Sequence, residues 1–178
     1  RQYEASKTDD IEDMDVLIEW LEDHIPEDDS TSIVHGDVRL ENLVIHPIEP
    51  RVVAVLDWEL STLGHPLSDL AYNCMQYYIP VGKGKLSGYR GLDLAEWGIP
   101  EETDYIDAYC RRTGRDGIAE WEFFVAFGMF RLASIVQGVY KRGLDGIASS
   151  EQARSYGRYV LFLADVARQV ISEADRTS

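Results

Sequence analysis

Apolar residues recur every three or four positions over five stretches of the chain, which is the spacing of one buried helix face. The first stretch runs from Ile11 to Ile25 and is followed by Pro26 and four polar residues. The other four predicted helices cover residues 67–78, 101–112, 119–141 and 150–173. Pro66 precedes the second helix, and glycines follow the third and fourth, as is typical of helix ends. A mostly helical fold is therefore predicted.

Three short runs rich in valine, isoleucine and leucine lie before the second helix and predict β-strands. They cover Ser32–Val34, Leu43–His46 and Val52–Leu56. Pro47 and Pro50 bracket the connection between the last two runs, which favours a turn there. The polar segment between the first two runs is then a loop with a strand on either side. The predicted fold class is α+β, mostly helical, with a small β element.

The polar loop and the end of the third strand carry three side chains that suit phosphoryl transfer. Asp37 follows the first strand, Asn42 stands where the second begins, and Asp57 follows the third. Magnesium prefers hard oxygen ligands, and a carboxylate beside an acceptor hydroxyl can orient it and take its proton. Taken singly, Asp37 and Asn42 are better interpreted as turn formers and Asp57 as a strand cap. Taken together, and with the strands as neighbours, they predict one catalytic cleft.

The residues around these positions resemble the aminoglycoside phosphotransferase / choline kinase superfamily. The resemblance lies in His35-Gly36-Asp37 with Asn42, in Leu56-Asp57-Trp58-Glu59, in Gly64-His65-Pro66 and in Asp69-Leu70-Ala71. Val55–Gly64 and Gln137–Arg142 are typical of the branch related to domains fused to some acyl-CoA dehydrogenases. The resemblance covers most of the chain, from about Leu17 to Glu173. It implies the C-terminal lobe of a protein-kinase-like fold, whose small β element carries the catalytic loop.

The resemblance also implies a role for each residue of the site in a small-molecule phosphotransferase with an alcohol group as acceptor. Asp37 would be the catalytic base, and Asn42 and Asp57 would bind Mg²⁺, with ATP or GTP as phosphate donor. His35 would shape the loop. Asp69 would bind the loop backbone through hydrogen bonds, which fixes the geometry of the catalytic residues.

Arg39 and Glu59 are open cases beside the predicted site. A cation two residues after the base could contact the transferred phosphate, or it could pair with Glu41 or Glu59 at the surface. Glu59 could also join the metal site through a water molecule.

The organisation of the chain is expected to be a single lobe over residues 1–178, with residues 1–10 as an inter-lobe or linker segment. A kinase-like enzyme also needs an N-terminal lobe with a phosphate-covering loop, a strand lysine and a helix glutamate, none of which is identifiable. The segment Gly82-Lys83-Gly84-Lys85 lacks the GxxxxGK[ST] spacing and predicts a flexible basic loop. We expect the isolated chain to be inactive or nearly so, with the missing lobe acting in cis.

Composition narrows the partners without naming the acceptor. The net charge of −15 argues against nucleic acid or an anionic membrane as partner, and the chain has no run of about 18 apolar residues that would predict a membrane span. Cys74 and Cys110 belong to no metal-spaced pair and predict reduced thiols in a cytoplasmic protein.

The acceptor is expected to be a small molecule with a hydroxyl group, and the resemblance to domains linked to fatty-acid metabolism favours a hydroxyacyl type. Aromatic residues between Trp121 and Phe130 could line its pocket, although core packing is the better interpretation for most of them and for Tyr72.

Two other classes of function stay open at this point. A metallohydrolase could combine histidines and carboxylates, with His35, Asp37, His46, Asp57 and His65 as candidates, although no HxH or HExxH pair is present. A kinase-like binding module without turnover is the other alternative. The retained site residues speak against that module, and the missing lobe speaks for it.

Overall fold

The computed structural model describes residues 2–82 and 86–177, and it confirms the mostly helical α+β fold. Its α-helices are α1 Gln2–Ser6, α2 Glu12–Asp23, α3 Leu67–Tyr78, α4 Glu102–Thr113, α5 Trp121–Leu144 and α6 Gly157–Thr177. Lys83, Gly84 and Lys85, from the segment predicted as a basic loop, lie outside the described residues.

The last two helices differ from their predicted bounds around Gly143. α5 was expected to stop at this glycine but continues through it to Leu144. A Cβ on Gly143 would lie only 2.7 Å from the backbone nitrogen of Arg154, so the glycine permits a close approach rather than ending the helix. The predicted final helix is divided into a 3₁₀ turn, Glu151–Ser155, and α6.

The strands form two small antiparallel sheets of two strands each. Strand β1 is Ser32–Val34, β2 is Leu43–Ile45, β3 is Val52–Val55 and β4 is Thr62–Gly64. β1 pairs with β4, where Ile33 lies opposite Leu63, and β2 pairs with β3, where Leu43 lies opposite Val55. The sequence did not predict β4. Its pairing with β1 brings the chain back from β3 to the start of the catalytic loop.

The core lies between α2, α3, α5 and α6, with α5 at its centre. α5 packs against both α3 and α6, and Gly128 lets it approach the side chain of Met75 on α3. By length and composition alone, α5 is the one described helix that could cross a membrane, with a window of mean hydropathy 1.5 that is half buried in the protein. A core helix passes the same test, so the expectation that no membrane is involved stays a prediction, as does the cytoplasmic location.

The segment before α2, expected to be a linker, contains α1, which packs on α5. The ring of Tyr3 is buried and meets Phe130 edge-on, with 6.1 Å between ring centroids. The buried amide of Gln137 donates to the Ser6 carbonyl oxygen at 2.8 Å and to Thr8 Oγ1 at 2.9 Å. These contacts fix the path by which the chain enters the lobe.

Candidate active site

The loop between β1 and β2 rests on the first turn of α3. The Asp69 carboxylate accepts the backbone N–H of His35 at 2.6 Å and that of Gly36 at 2.8 Å. These are the hydrogen bonds that the resemblance implied for Asp69. Hydrogen bonds to a charged acceptor are the strong kind, so the backbone that leads into Asp37 is fixed to the helix.

Gly36 allows this loop to pass between two other elements. Its φ of +83° lies in the left-handed region, and a Cβ at this position would lie 2.7 Å from the carbonyl oxygen of Leu60. Its own carbonyl oxygen accepts a hydrogen bond from Arg131 Nη1 on α5 at 2.6 Å. Only glycine combines the left-handed φ with the close approach to Leu60 without strain.

The carboxylate of Asp37 has three donors around it. Tyr72 donates its hydroxyl to Oδ1 at 3.1 Å, and Asn42 Nδ2 donates to Oδ2 at 3.1 Å. Arg39 Nε lies 3.3 Å from Oδ2, while the Asp37 side chain is only 15% exposed. The carboxylate is therefore oriented from the loop itself and from α3.

Asn42 presents an oxygen on the side away from Asp37. Its Nδ2 donates both to the Asp37 carbonyl oxygen at 2.8 Å and to the Asp37 carboxylate. Nδ2 is thereby directed at one residue, so Oδ1, at the other end of the amide group, is left free of Asp37. The residue is 7% exposed, which keeps this orientation defined.

Asp57 follows β3 and is joined to the loop through its neighbour Leu56. The Leu56 N–H donates to the Asn42 carbonyl oxygen at 2.8 Å, and the Leu56 carbonyl oxygen lies 2.8 Å from His35 Nε2. Asp57 itself has φ 66° and ψ 54°, a left-handed conformation that aspartate tolerates better than most residues. Strained backbone of this kind clusters at functional sites. The Asn42 amide oxygen and the Asp57 carboxylate are oxygen ligands of the type that Mg²⁺ prefers.

His35 is a buried structural residue of the loop. Its Nδ1 accepts the Asp37 N–H at 3.2 Å, so Nε2 carries the ring proton and donates it to the Leu56 carbonyl oxygen. The imidazole also packs against Trp58, with 4.7 Å between ring centroids. One ring nitrogen thus bonds within the loop, and the other joins the loop to the residue that follows β3.

The two open cases from the sequence lie at the edge of the site. Arg39 pairs with Asp37, and not with Glu41 or Glu59 as considered above, and its side chain is 53% exposed. Glu59 is exposed in the 3₁₀ turn Trp58–Leu60 that follows Asp57. Arg39 is therefore the one of these two residues that contacts the proposed base in this structure.

The histidines considered for a metallohydrolase lie in separate environments. His46 Nδ1 accepts the backbone N–H of Glu49 at 2.9 Å, and His65 Nε2 lies 3.2 Å from Asp28 Oδ2. Within residues 2–82 and 86–177, histidine, cysteine, aspartate and glutamate side chains form no group of three or more that could hold a metal ion. The structure does not bring the metallohydrolase candidates together.

A cavity of about 410 Å³ opens beside the loop. Gly36, Tyr72 and Arg131 lie in its wall, and apolar side chains from α5 and from the segment around β4 supply most of the rest, among them Leu60, Leu63, Phe123, Phe124 and Phe127. The aromatic residues of α5 therefore fall into two groups, those that line the cavity and those that do not. Trp121 instead donates to Glu102 Oε1 at 3.1 Å, and Phe130 packs on Tyr3.

The sequence favoured core packing for Tyr72 and did not mark Arg131 as a member of the site. Burial and the neighbouring charge of Asp37 raise the pKa of Tyr72 to about 12, so its hydroxyl keeps its proton and acts as a donor. Tyr72 follows Asp69 by three residues on α3, and Arg131 is the lone charged residue between Glu122 and Lys141 on an otherwise apolar helix. The available signal for Tyr72 was its position on the same helix face as Asp69. The signal for Arg131 was its isolated charge in a core helix.

Comparisons with known proteins identify the family to which the chain belongs. The model of the phosphotransferase enzyme family matches residues 1–124. Acyl-CoA dehydrogenase family member 10 of Mus musculus is 47% identical over 167 residues, which cover 94% of this chain and 16% of that protein. Acyl-CoA dehydrogenase family member 11 of Homo sapiens is 43% identical over 172 residues, which cover 96% of this chain and 22% of that protein.

A solved structure shares both the fold and much of the sequence. The crystal structure of a "putative aminoglycoside phosphotransferase" from Ralstonia eutropha JMP134 is 50% identical, with a TM-score of 0.89. The match covers 97% of this chain and 52% of that one. The chain thus spans about half the length of this solved relative and less than a quarter of either curated relative.

Proposed function

Because the chain belongs to the phosphotransferase enzyme family, we propose that it transfers the γ-phosphate of a nucleotide to the hydroxyl group of a small molecule. The observation that carries this proposal is the Asp37 carboxylate, which Tyr72 and Asn42 orient beside a cavity of about 410 Å³. Phosphoryl transfer depends mainly on positioning and on neutralising charge. A fixed carboxylate that is bonded to Tyr72 of the cavity wall supplies the positioning.

Each residue then has a task in the proposed reaction. Asp37 aligns the acceptor hydroxyl and takes its proton, and Asn42 Oδ1 and the Asp57 carboxylate would hold Mg²⁺. The bound ion would neutralise charge on the nucleotide phosphates. Arg39 pairs with Asp37 through Nε alone and is half exposed, so its two Nη groups would be the ones to contact the transferred phosphate. His35 keeps the loop backbone in its observed conformation.

The nucleotide is proposed to bind between this chain and a second lobe. The chain covers 52% of the solved relative, which supports the view that these residues form the C-terminal lobe of a two-lobed enzyme. The glycine-rich loop and the strand lysine that grip ATP or GTP in kinase-like enzymes belong to the other lobe. We therefore expect the 178 residues alone to transfer little or no phosphate.

The acceptor is proposed to be a hydroxyacyl-type molecule with an apolar body. The described residues of the cavity wall include phenylalanines and leucines and one arginine, Arg131, and no carboxylate. An aminoglycoside carries several positive charges, which such a wall would not neutralise. The acyl-CoA dehydrogenase names of the curated relatives support an acyl compound as well.

The test is a measurement of ADP formation by the full-length protein with ATP and Mg²⁺. A panel of acceptors should compare hydroxyacyl thioesters and hydroxy fatty acids with choline and an aminoglycoside. We expect turnover with a hydroxyacyl compound that disappears when Mg²⁺ is chelated, and a raised Mg²⁺ requirement for Asp57→Asn. ADP formation that no acceptor of the panel increases would contradict the phosphotransferase proposal, and turnover with the aminoglycoside alone would contradict the proposed acceptor.

A pair of variants tests whether the acceptor uses the cavity. Phe127→Asp places a charge in the apolar wall and should raise the KM of the acceptor with little change in the KM of ATP. Leu161→Asp places the same charge at an exposed position on α6, away from the cavity, and should leave both constants unchanged. Equal effects of the two variants would show that the acceptor binds elsewhere.

A further inference from the structure

Tyr72 and Arg131 form a connected unit with the two loop residues Gly36 and Asp37. The Tyr72 hydroxyl donates to Asp37 Oδ1 at 3.1 Å. The Arg131 guanidinium carbon lies over the Tyr72 ring, 5.6 Å from its centroid, and Arg131 Nη1 donates to the Gly36 carbonyl oxygen at 2.6 Å. Two neighbouring loop residues are thereby tied to α3 and to α5 through one side chain each.

The two hydrogen bonds and the ion pair of the Asp37 carboxylate leave one position for an acceptor. A carboxylate offers about four lone-pair positions, two on each oxygen. Asn42 and Arg39 both approach Oδ2, and Tyr72 occupies one position on Oδ1. The remaining position is on Oδ1, the oxygen that Tyr72 binds, and Tyr72 also lines the cavity.

We propose that Tyr72 is a positioning residue that turns Oδ1 of Asp37 towards the acceptor hydroxyl, and that Arg131 holds Tyr72 in place. This inference rests on the proposed role of Asp37 as the base. The Tyr72 hydroxyl and the acceptor hydroxyl would both bind Oδ1 of Asp37. The position of the Tyr72 hydroxyl therefore sets the direction from which the acceptor hydroxyl can approach. The Arg131 guanidinium is attracted to the electron-rich face of the Tyr72 ring. It also fixes the loop through its hydrogen bond to the Gly36 carbonyl oxygen.

Burial and the charge of Asp37 both favour the protonated form of Tyr72 that this role requires. Burial and the Asp37 carboxylate raise the pKa of Tyr72 to about 12, so the phenol is a donor across the working range of most enzymes. A phenylalanine at this position would keep the ring under Arg131 and remove the hydroxyl alone. The substitution Tyr72→Phe therefore separates the positioning role from packing.

The first experiment measures kcat and KM of the full-length protein with ATP, Mg²⁺ and its acceptor. For Tyr72→Phe we expect kcat to fall about 10- to 100-fold, because small misplacements of a base cost rates of this order, with the KM values nearly unchanged. Tyr77→Phe is the matched control, since its hydroxyl binds the Pro100 carbonyl oxygen at 2.9 Å outside the site. Thermal unfolding of both variants shows whether either is poorly folded, and Arg131→Lys is a second variant expected to lower kcat less than Tyr72→Phe.

The second experiment repeats Tyr72→Phe in an Asp37→Asn background. If Tyr72 acts through Asp37, the second substitution adds less than about twofold to the loss caused by the first. An equal loss in both backgrounds, or a wild-type kcat for Tyr72→Phe while Asp37→Asn is inactive, would overturn the inference and leave the proposed function standing. Full activity of Asp37→Asn would instead overturn the proposed function.

Discussion

The carboxylate of Asp69 accepts the backbone N–H of Gly36 at 2.8 Å, although 33 residues separate the two in sequence. The same helix turn that carries Asp69 is followed by Tyr72, whose hydroxyl reaches the Asp37 side chain. α3 therefore fixes both the backbone before Asp37 and the side chain of Asp37. Packing of α3 against α5 in the core is in turn what sets the position of this support.

Replacing Asp69 by asparagine should damage both stability and turnover. An amide oxygen is a weaker acceptor than a carboxylate, and the amide NH₂ would face a backbone N–H. We expect the free energy of unfolding to fall by roughly 1.5–3 kcal/mol and kcat to fall at least tenfold. Asp104→Asn, at an exposed position on α4, is the control and should behave as wild type in urea unfolding and in turnover. A wild-type kcat for Asp69→Asn would show that turnover does not depend on the hydrogen bonds between Asp69 and the loop.

Replacing Gly36 by alanine should have a larger effect than the same change at another left-handed glycine. Gly114 has φ +70° at the end of α4, and a Cβ there meets nothing within 4 Å. Gly114→Ala should therefore cost only backbone strain, about 1 kcal/mol in unfolding free energy, with kcat unchanged.

Gly36→Ala adds a contact of 2.7 Å with the Leu60 carbonyl oxygen to the same strain. We expect a larger loss of unfolding free energy than at Gly114, together with a loss of turnover because the loop must shift. Urea unfolding and kcat measured for the two variants in parallel give the comparison. Similar losses of stability and intact turnover in both would show that the loop accommodates a side chain.

Glu102 should make the protein less stable as the pH rises above its ordinary titration range. Burial raises the pKa of Glu102 above its usual value of 4.5, while Trp121 Nε1 donates to it at 3.1 Å. The native state then retains a proton that the unfolded state has lost, so the free energy of unfolding falls between the unfolded and the folded pKa.

The substitution Glu102→Gln keeps an acceptor for Trp121 and removes the buried charge. We expect its melting temperature to exceed that of the wild type at pH 7, with the difference closing below about pH 4 as the wild-type carboxyl is protonated. Thermal unfolding of both proteins across this range is the measurement. A less stable Glu102→Gln at pH 7 would mean that the charged hydrogen bond outweighs the cost of burial.

The helices could be predicted from the sequence because their signals are local. Leu67–Tyr78 combines helical periodicity with Pro66 at its start, and α4 ends at Gly114, so both bounds follow from neighbouring residues. Strand β4 has no such signal. Thr62–Gly64 is three residues long, and it is a strand only because Leu63 lies opposite Ile33 of β1.

The same distinction applies to the site. Asp37 and Asn42 stand five residues apart in one loop, and their polar side chains between apolar strands mark them in the sequence. Tyr72 and Arg131 come to the site from α3 and α5 only when those helices pack against each other. The sequence carries only weak signals for them, the helix face that Tyr72 shares with Asp69 and the isolated charge of Arg131, so their roles follow mainly from tertiary structure.

The most direct test of the central claim is the rate of Mg²⁺-dependent phosphate transfer by Asp37→Asn beside that of the wild type, in the full-length protein. Asparagine keeps the size of the side chain and can still meet Tyr72, but it cannot take the proton of the acceptor hydroxyl. We predict a rate lower by about 10²- to 10⁴-fold, with ATP binding retained. An Asp37→Asn variant that transfers phosphate as fast as the wild type would contradict the account.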